Sequence, residues 1–112
     1  MTQKTDKAKE ISLGLLGAGA LPKDVLSDSV TWQNGGSVFV GQEAVLAKIA
    51  ETSVSSIKIE DIVTHGKAAA VSGRLTSETG PKLFCHMIKF TSASAKQIAS
   101  IVSFQHQLKG TE

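Results

Sequence analysis

Three histidines are the side chains in this sequence best suited to proton transfer near neutral pH. They are His65, His86 and His106, and a neutral imidazole can donate a hydrogen bond from one nitrogen while accepting one on the other. His86 shares one face of a predicted strand with Phe84 and Ile88. We therefore expect it to point into the apolar interior as the proton-transfer group of a site, or else to be a histidine that is satisfied by a backbone carbonyl or water, or that is turned to an interface.

Metal binding and thiol chemistry are not favoured by the spacing of the histidines and the cysteine. The three histidines fall on three different predicted strands, without the ligand spacing of a metal site. Cys85 is the only cysteine, so an internal disulfide and a multi-cysteine metal site are excluded. It alternates away from His86, the one neighbouring group that could activate a thiol, so we expect a buried, inert cysteine and no bound metal.

A glycine-containing stretch, Gly14-Leu15-Leu16-Gly17-Ala18-Gly19, is the nearest approach to a nucleotide-binding motif. It follows no predicted strand, its glycine spacing is the reverse of the dinucleotide fingerprint, and no strand–helix–strand unit surrounds it. The glycines instead indicate a helix end, and we expect no cofactor.

The first half of the chain predicts two helices, a hairpin and a third helix. Thr5 offers a capping oxygen, after which apolar residues recur at helical spacing with Ser12 inside their arc. Pro22 suits the first turn of a short helix that extends to Leu26. The later elements are a hairpin around Asn34-Gly35-Gly36, with strands Val30–Trp32 and Ser37–Val40, and an amphipathic helix over Gln42–Thr52.

Four extended segments complete the chain: Ser55–His65, Lys67–Ser77, Lys82–Thr91 and Lys96–Leu108. Helices followed by an antiparallel meander predict an α+β fold rather than an alternating α/β one. The segment Lys82–Thr91 is largely apolar on both faces. In the last segment we expect Ile98, Ser100, Val102, Phe104, His106 and Leu108 to share a face.

A strand that is apolar on both sides must bury both of them. With the helices covering one side of the sheet, a second subunit is the simplest cover for the other. The pattern therefore predicts a homodimer that forms through the outer face of the sheet.

The order of these elements resembles a known family. The residues that carry the likeness are Leu26-Ser27-Asp28-Ser29-Val30-Thr31-Trp32, which lead into the hairpin, and Gly41-Gln42-Glu43-Ala44, which open the helix. They are similar to the nuclear-transport-factor-two-like superfamily, which includes SnoaL-like polyketide cyclases and ketosteroid isomerases, over about Lys7 to Leu108. The resemblance implies a cone-shaped, strongly bent antiparallel sheet wrapped around three helices (a cystatin-like α+β roll), an apolar pocket, and dimerisation through the outer sheet face.

The catalytic positions of the ketosteroid isomerase branch are not retained in this sequence. By resemblance, the position of the base carboxylate holds Gln33, that of an oxyanion-binding acid holds His86, and that of a tyrosine partner falls at or beside Ser12. An amide cannot take the proton, and the chain contains no tyrosine. This isomerase mechanism, which also serves as a standard example of a carboxylic acid kept neutral by an apolar site, is not expected here.

The composition of the chain limits the classes of partner that we expect it to bind. Twelve basic residues against ten acidic ones give a net charge of +2, which is too balanced for a nucleic-acid-binding surface. Apolar residues make up 41% of the 112 residues, enough for one domain that spans the chain. The first ten residues lack the apolar core of a signal peptide, and no apolar stretch is long enough to span a membrane. We expect a cytoplasmic protein that binds neither nucleic acid nor membrane.

Three functions remain open. The first is binding of a compact hydrophobic ligand in a mostly apolar pocket that contains a few polar groups. The second is an isomerase, cyclase or hydratase acting on a hydrophobic carbonyl compound, with His86 as its proton-transfer group. The third is a dimeric protein-interaction module. The predicted ligand-binding residues are Ser12, Gln33, Phe84, His86, Ile88, Ser100, Val102 and Phe104.

Overall fold

The computed structural model describes residues 3–19 and 21–108, which follow the predicted order of helix, hairpin, helix and meander. The elements are α1 (Gln3–Leu15), a 3-10 turn (Lys23–Val25), β1 (Leu26–Asn34), β2 (Ser37–Val40), α2 (Gln42–Glu51), β3 (Ser56–His65), β4 (Ala68–Ser77), β5 (Gly80–Phe90) and β6 (Ile98–Gln107).

The six strands of the described residues form one sheet in the order β2-β1-β6-β5-β4-β3. The predicted α+β class and curved sheet are confirmed. One pair, β1 and β6, is parallel, where the sequence predicted antiparallel pairing throughout. These two strands are far apart in the chain, so no hairpin forces them to run in opposite directions, and α2 lies in the long connection between them.

Helix α1 buries the face that its spacing predicts and ends at a glycine. The φ of Gly17 is +81°, and the N–H of Ala18 bonds to the carbonyl of Leu13 while that of Gly17 bonds to Gly14. These bonds form a Schellman motif, which requires a left-handed residue. A Cβ at Gly17 would lie 2.5 Å from the carbonyl oxygen of Thr52, so the glycine also lets α1 approach the end of α2. The buried apolar residues of α1 and its end are Ala8, Ile11, Leu15 and Leu16.

The predicted helix from Pro22 to Leu26 is only a single 3-10 turn, Lys23–Val25. Strand β1 begins at Leu26, four residues before the predicted start, because the buried side chains of Leu26 and Val30 need an extended backbone to reach the core. Leu26 is also held by its carbonyl, which accepts a hydrogen bond from Nε2 of Gln42 at 2.8 Å. No helix in the described ranges is long and apolar enough to cross a membrane.

The inner face of the sheet packs against the two helices. Helix α1 lies against β3 and β4, and α2 lies against β1 and β2. The strand residues that form this core are Leu26, Val30, Trp32, Ala69, Val71, Leu75, Phe84, Ile88, Phe90, Ile98 and Ile101.

A β-bulge at the start of β6 reverses the predicted inward face of that strand. Phe90 pairs with Ile98 but Lys89 pairs with Ser100, so Ala99 is an extra residue. One extra residue turns every later side chain to the opposite face. The prediction that Ser100, Val102, Phe104 and His106 face inward is therefore wrong, and Ile101 and Ser103 are buried instead.

The outer face of the sheet presents a row of five apolar side chains and one glutamine that crosses all six strands. The side chains of Val63, Met87 and Val38 are 65%, 51% and 60% exposed. Nothing in the described part of the chain packs over them. The residues in register along this outer row are Val63, Ala70, Met87, Val102, Gln33 and Val38.

Candidate functional site

His86 lies in the middle of the sheet, with its imidazole in the core. It pairs with Val71 on β4 and Ser103 on β6, and it is 1% exposed. The ring of Phe84 lies 5.3 Å from the imidazole, centroid to centroid. The predicted inward orientation of His86 is confirmed by this burial.

A chain of hydrogen bonds joins His86 to Ser103 and Trp32. Nε1 of Trp32 donates to Oγ of Ser103 at 2.7 Å, and Oγ of Ser103 lies 2.6 Å from Nδ1 of His86. All three side chains are buried, and they come from β1, β6 and β5. The parallel pairing of β1 with β6 brings Trp32 within reach of Ser103, although 71 residues separate them in the chain.

The second ring nitrogen of His86, Nε2, is buried and has no hydrogen-bond partner. Burial lowers the pKa of His86 from 6.5 to about 4, because removal from water disfavours the charged imidazolium. The ring is therefore neutral at pH 7 and has one unused polar atom. A buried polar group without a partner costs about 1–3 kcal/mol.

A cavity of about 260 Å³ lies beside His86. Its buried lining residues are Leu15, Leu16, Trp32, Leu75 and His86. Its partly buried or exposed lining residues are Asn34, Lys48, Glu51, Thr52, Ser53, Val54, Ser77, Lys82 and Gln105. The cavity thus has a mainly apolar floor and a polar, charged rim, and it is more polar than the mostly apolar pocket that the sequence predicted.

The structure places the predicted ligand-binding residues in two groups. Phe84, Ile88 and Ser12 are buried with His86, although they do not line this cavity, and Oγ of Ser12 has no hydrogen-bond partner. Gln33 is exposed because Trp32, its neighbour, takes the inward position. The other residues that lie on the outer face are Ser100, Val102 and Phe104.

Two buried polar contributors, Ser103 and the indole of Trp32, are missing from the predicted set. Trp32 is 2% exposed and also lines the cavity. No local pattern pointed to Ser103, because the bulge at Ala99 sets the register that places it directly opposite His86, where its hydroxyl can bond to the ring. Gln105, which shares the face of Ser103, lies at the rim of the cavity.

The remaining candidates for metal or thiol chemistry are separate from this site. Within residues 3–19 and 21–108, no three His, Cys, Asp or Glu side chains are grouped so as to hold a metal ion. His65 and His106 are exposed. Cys85 faces outward as predicted, but it is half-buried rather than buried.

Comparison with solved structures identifies the architecture. An NTF2-like protein of unknown function from Cytophaga hutchinsonii ATCC 33406 superposes with a TM-score of 0.72, at 14% identity, over 93% of this chain and 99% of its own. The chain has the NTF2-like fold. A protein with a cystatin-like fold from Silicibacter pomeroyi DSS-3 has a TM-score of 0.77, at 14% identity, over 96% of this chain and 78% of its own.

The NTF2-like fold occurs both in proteins of unknown function and in a protein with a proposed activity. A proposed ketosteroid isomerase from Kribbella flavida DSM 17836 has a TM-score of 0.75, at 15% identity, over 96% of this chain and 80% of its own. No family model matches the sequence, and no curated protein matches it. The comparisons therefore establish the fold, and the function has to be argued from the site.

Proposed function

We propose that this protein binds a compact, mostly apolar small molecule in the cavity beside His86. The observation that carries the proposal is that His86, whose buried Nε2 has no hydrogen-bond partner, is one of the residues that line a cavity with an apolar floor. A ligand that bonds to Nε2 would remove the cost of the unpaired atom, and its apolar part would contact Leu15, Leu16 and Leu75. The volume of about 260 Å³ favours a ligand smaller than a typical drug molecule.

Catalysis by His86 is less well supported than binding. A general base works best when its pKa lies near the working pH. The pKa of His86 is lowered to about 4 by burial, so its neutral ring is a weak base. Its hydrogen-bond partner is the hydroxyl of Ser103 rather than a carboxylate that would stabilise the imidazolium. The isomerase, cyclase or hydratase alternative therefore ranks second.

The experiment uses Trp32 as a reporter, since it is the only tryptophan and lines the cavity. Four compounds are titrated while Trp32 fluorescence and the unfolding temperature are followed: acetophenone, α-methylstyrene, benzoate and octanoate. We expect a saturable signal and a raised unfolding temperature for at least one. Leu75→Phe, which narrows the cavity, should weaken binding, whereas Leu83→Phe on the outer face of β5 should not. No response to any of the four compounds would overturn the proposal.

We also propose that the partner on the outer face of the sheet is a second copy of this chain. In the outer row, the side chains of Val63, Met87 and Val38 are more than half exposed, on a surface to which all six strands contribute. Phe104 adds a further aromatic side chain that is 54% exposed. Isolated exposed apolar residues are ordinary, but a contiguous patch marks an interaction surface.

Sedimentation velocity over a range of concentrations tests this dimer. We expect the wild type to sediment as a dimer, and Phe104→Glu to shift it to a monomer because two like charges would meet across the interface. The control is Ala47→Glu, which adds the same charge to the exposed side of α2. A wild type that stays monomeric at high concentration would exclude the dimer.

A further inference from the structure

The hydrogen-bond chain through Ser103 has a direction, which follows from what each group can donate. The indole N–H of Trp32 can only donate, so Oγ of Ser103 must accept from it. The hydroxyl of Ser103 then has one proton of its own to donate. In the described part of the chain, Oγ of Ser103 has two side-chain partners, Nε1 of Trp32 and Nδ1 of His86.

The two neutral tautomers of His86 leave different numbers of groups unsatisfied. If Nδ1 carries no proton, it accepts from Ser103, and only the N–H at Nε2 is left without a partner. If Nδ1 carries the proton, it donates to Oγ of Ser103 alongside Trp32, since a hydroxyl oxygen can accept two hydrogen bonds. The hydroxyl proton of Ser103 and the lone pair of Nε2 then both lack partners. The first tautomer leaves one buried polar group without a hydrogen-bond partner and the second leaves two, so the first tautomer is favoured.

We infer that Trp32 and Ser103 are positioning residues that hold His86 as the Nε2–H tautomer, so that the cavity offers an N–H donor and selects ligands with an acceptor atom. The ligand half of this inference rests on the proposed function. The expected ligands carry an oxygen or nitrogen that accepts without having to donate, as in a ketone, ester, nitrile or carboxylate. A hydrocarbon of the same shape would leave the N–H unpaired.

The protonation half is tested without any ligand. Long-range ¹⁵N–¹H correlation spectra of ¹⁵N-labelled protein at pH 7 show which ring nitrogen of each histidine carries the proton. His65 and His106 are exposed and serve as internal references. We expect His86 alone to be fixed as the Nε2–H tautomer. A Nδ1–H tautomer, an imidazolium or a mixture like that of the references would overturn the inference.

Substitution of Ser103 separates positioning from simple packing. Ser103→Ala removes the hydroxyl between Trp32 and His86, so we expect the tautomer preference to weaken and the indole N–H resonance of Trp32 to shift. Ser103→Thr keeps the hydroxyl and should keep both signatures. If Ser103→Ala stays folded and leaves the ring nitrogens of His86 unchanged, Ser103 does not set the tautomer.

The ligand half is tested with two compounds of nearly the same shape, acetophenone and α-methylstyrene, which differ by a carbonyl oxygen against a methylene. We expect the wild type to bind acetophenone about tenfold more tightly, which is the effect of one good neutral hydrogen bond. Ser103→Ala should lower this ratio to about two or less, and Ser103→Thr should preserve it. Equal binding of both compounds by the wild type would overturn the ligand half alone. If neither compound binds, the ligand half fails, whereas the tautomer is decided by the spectra.

Discussion

The two faces of strand β5 carry similar residue types but differ in burial and in hydrogen bonding. On the inner face Phe84, His86 and Ile88 are at most 3% exposed. On the outer face Met87 is 51% exposed and Lys89 is exposed. The inner face contains a polar group whose bonding is fixed by residues from two other strands, whereas the outer face offers apolar area with little hydrogen-bonding structure. The same strand therefore has one face with defined polar partners in the core and another face that leaves apolar area exposed.

The largest expected effect comes from placing a carboxylate on each of two adjacent residues of β6. Ile101 is 1% exposed and faces inward, while Val102 faces outward in the outer row. Ile101→Asp should lower the free energy of unfolding by about 4 kcal/mol or more, because it buries an unpaired polar group. Val102→Asp should cost less than about 1 kcal/mol in dilute, monomeric protein. Urea unfolding measures both, and similar losses would contradict the assignment of the faces.

The second-largest effect is the loss of stability at acidic pH, which we expect from the buried His86 and not from an exposed histidine. The pKa of His86 is about 4 in the folded protein and 6.5 in the unfolded chain, so the unfolded chain binds more protons between these values. Stability is complete above pH 6.5 and falls by about 3 kcal/mol as the pH drops to 4. The measurement is the free energy of unfolding against pH, in which His86→Phe should remove this loss. His106→Phe should follow the wild type, and identical profiles for all three proteins would refute the shift.

A third test compares the two faces of β4, at the point where β3 bulges around Glu60. A Cβ on the inward Gly73 would lie 2.0 Å from the carbonyl oxygen of Lys58, so Gly73→Ala forces the backbone apart. We expect a loss of roughly 2 kcal/mol in thermal or urea unfolding. Ser72→Ala, on the outer face beside it, should stay within about 0.5 kcal/mol of the wild type. A tolerated alanine at Gly73 would show that the bulge is not tightly packed.

The smallest effect distinguishes two lysines on opposite faces of β5. Lys82 lines the rim of the cavity, while Lys89 lies on the outer face. Lys82→Met should weaken benzoate binding about threefold at low salt, as expected for a partly solvated charge, and leave acetophenone unaffected. Lys89→Met should change neither affinity. A loss of acetophenone binding in Lys82→Met would mean that Lys82 shapes the cavity rather than attracting anions.

Much of the fold was predictable because its patterns are local. The buried face of α1, the turn at Asn34-Gly35-Gly36 and helix α2 follow from helical spacing and turn chemistry. The short helix after Pro22 was overestimated, since a proline that suits a first turn does not supply the turns that follow. The parallel pairing of β1 and β6 had no local signal.

The site was only half predictable, because its geometry depends on register. His86 could be assigned to the interior from Phe84 and Ile88 on the same face. The inward face of β6 could not be assigned from the sequence. The extra residue at Ala99 turns Ser100 and Phe104 outward, and Ile101 and Ser103 face inward in their place. A bulge leaves no mark in an alternating pattern of Ile, Val, Ser and Phe.

The position of β6 in the sheet has a consequence for synthesis of the chain. It is the last of the described strands, yet it lies between β1 and β5 and supplies Ser103 to Trp32. While a ribosome makes the protein, the β1–β2 hairpin has no neighbour in the sheet until residues 98–107 have emerged. Non-local pairing of this kind is slow, and unpaired strand edges invite aggregation. A nascent chain stalled before residue 98 should therefore keep Trp32 open to fluorescence quenchers and depend on chaperones.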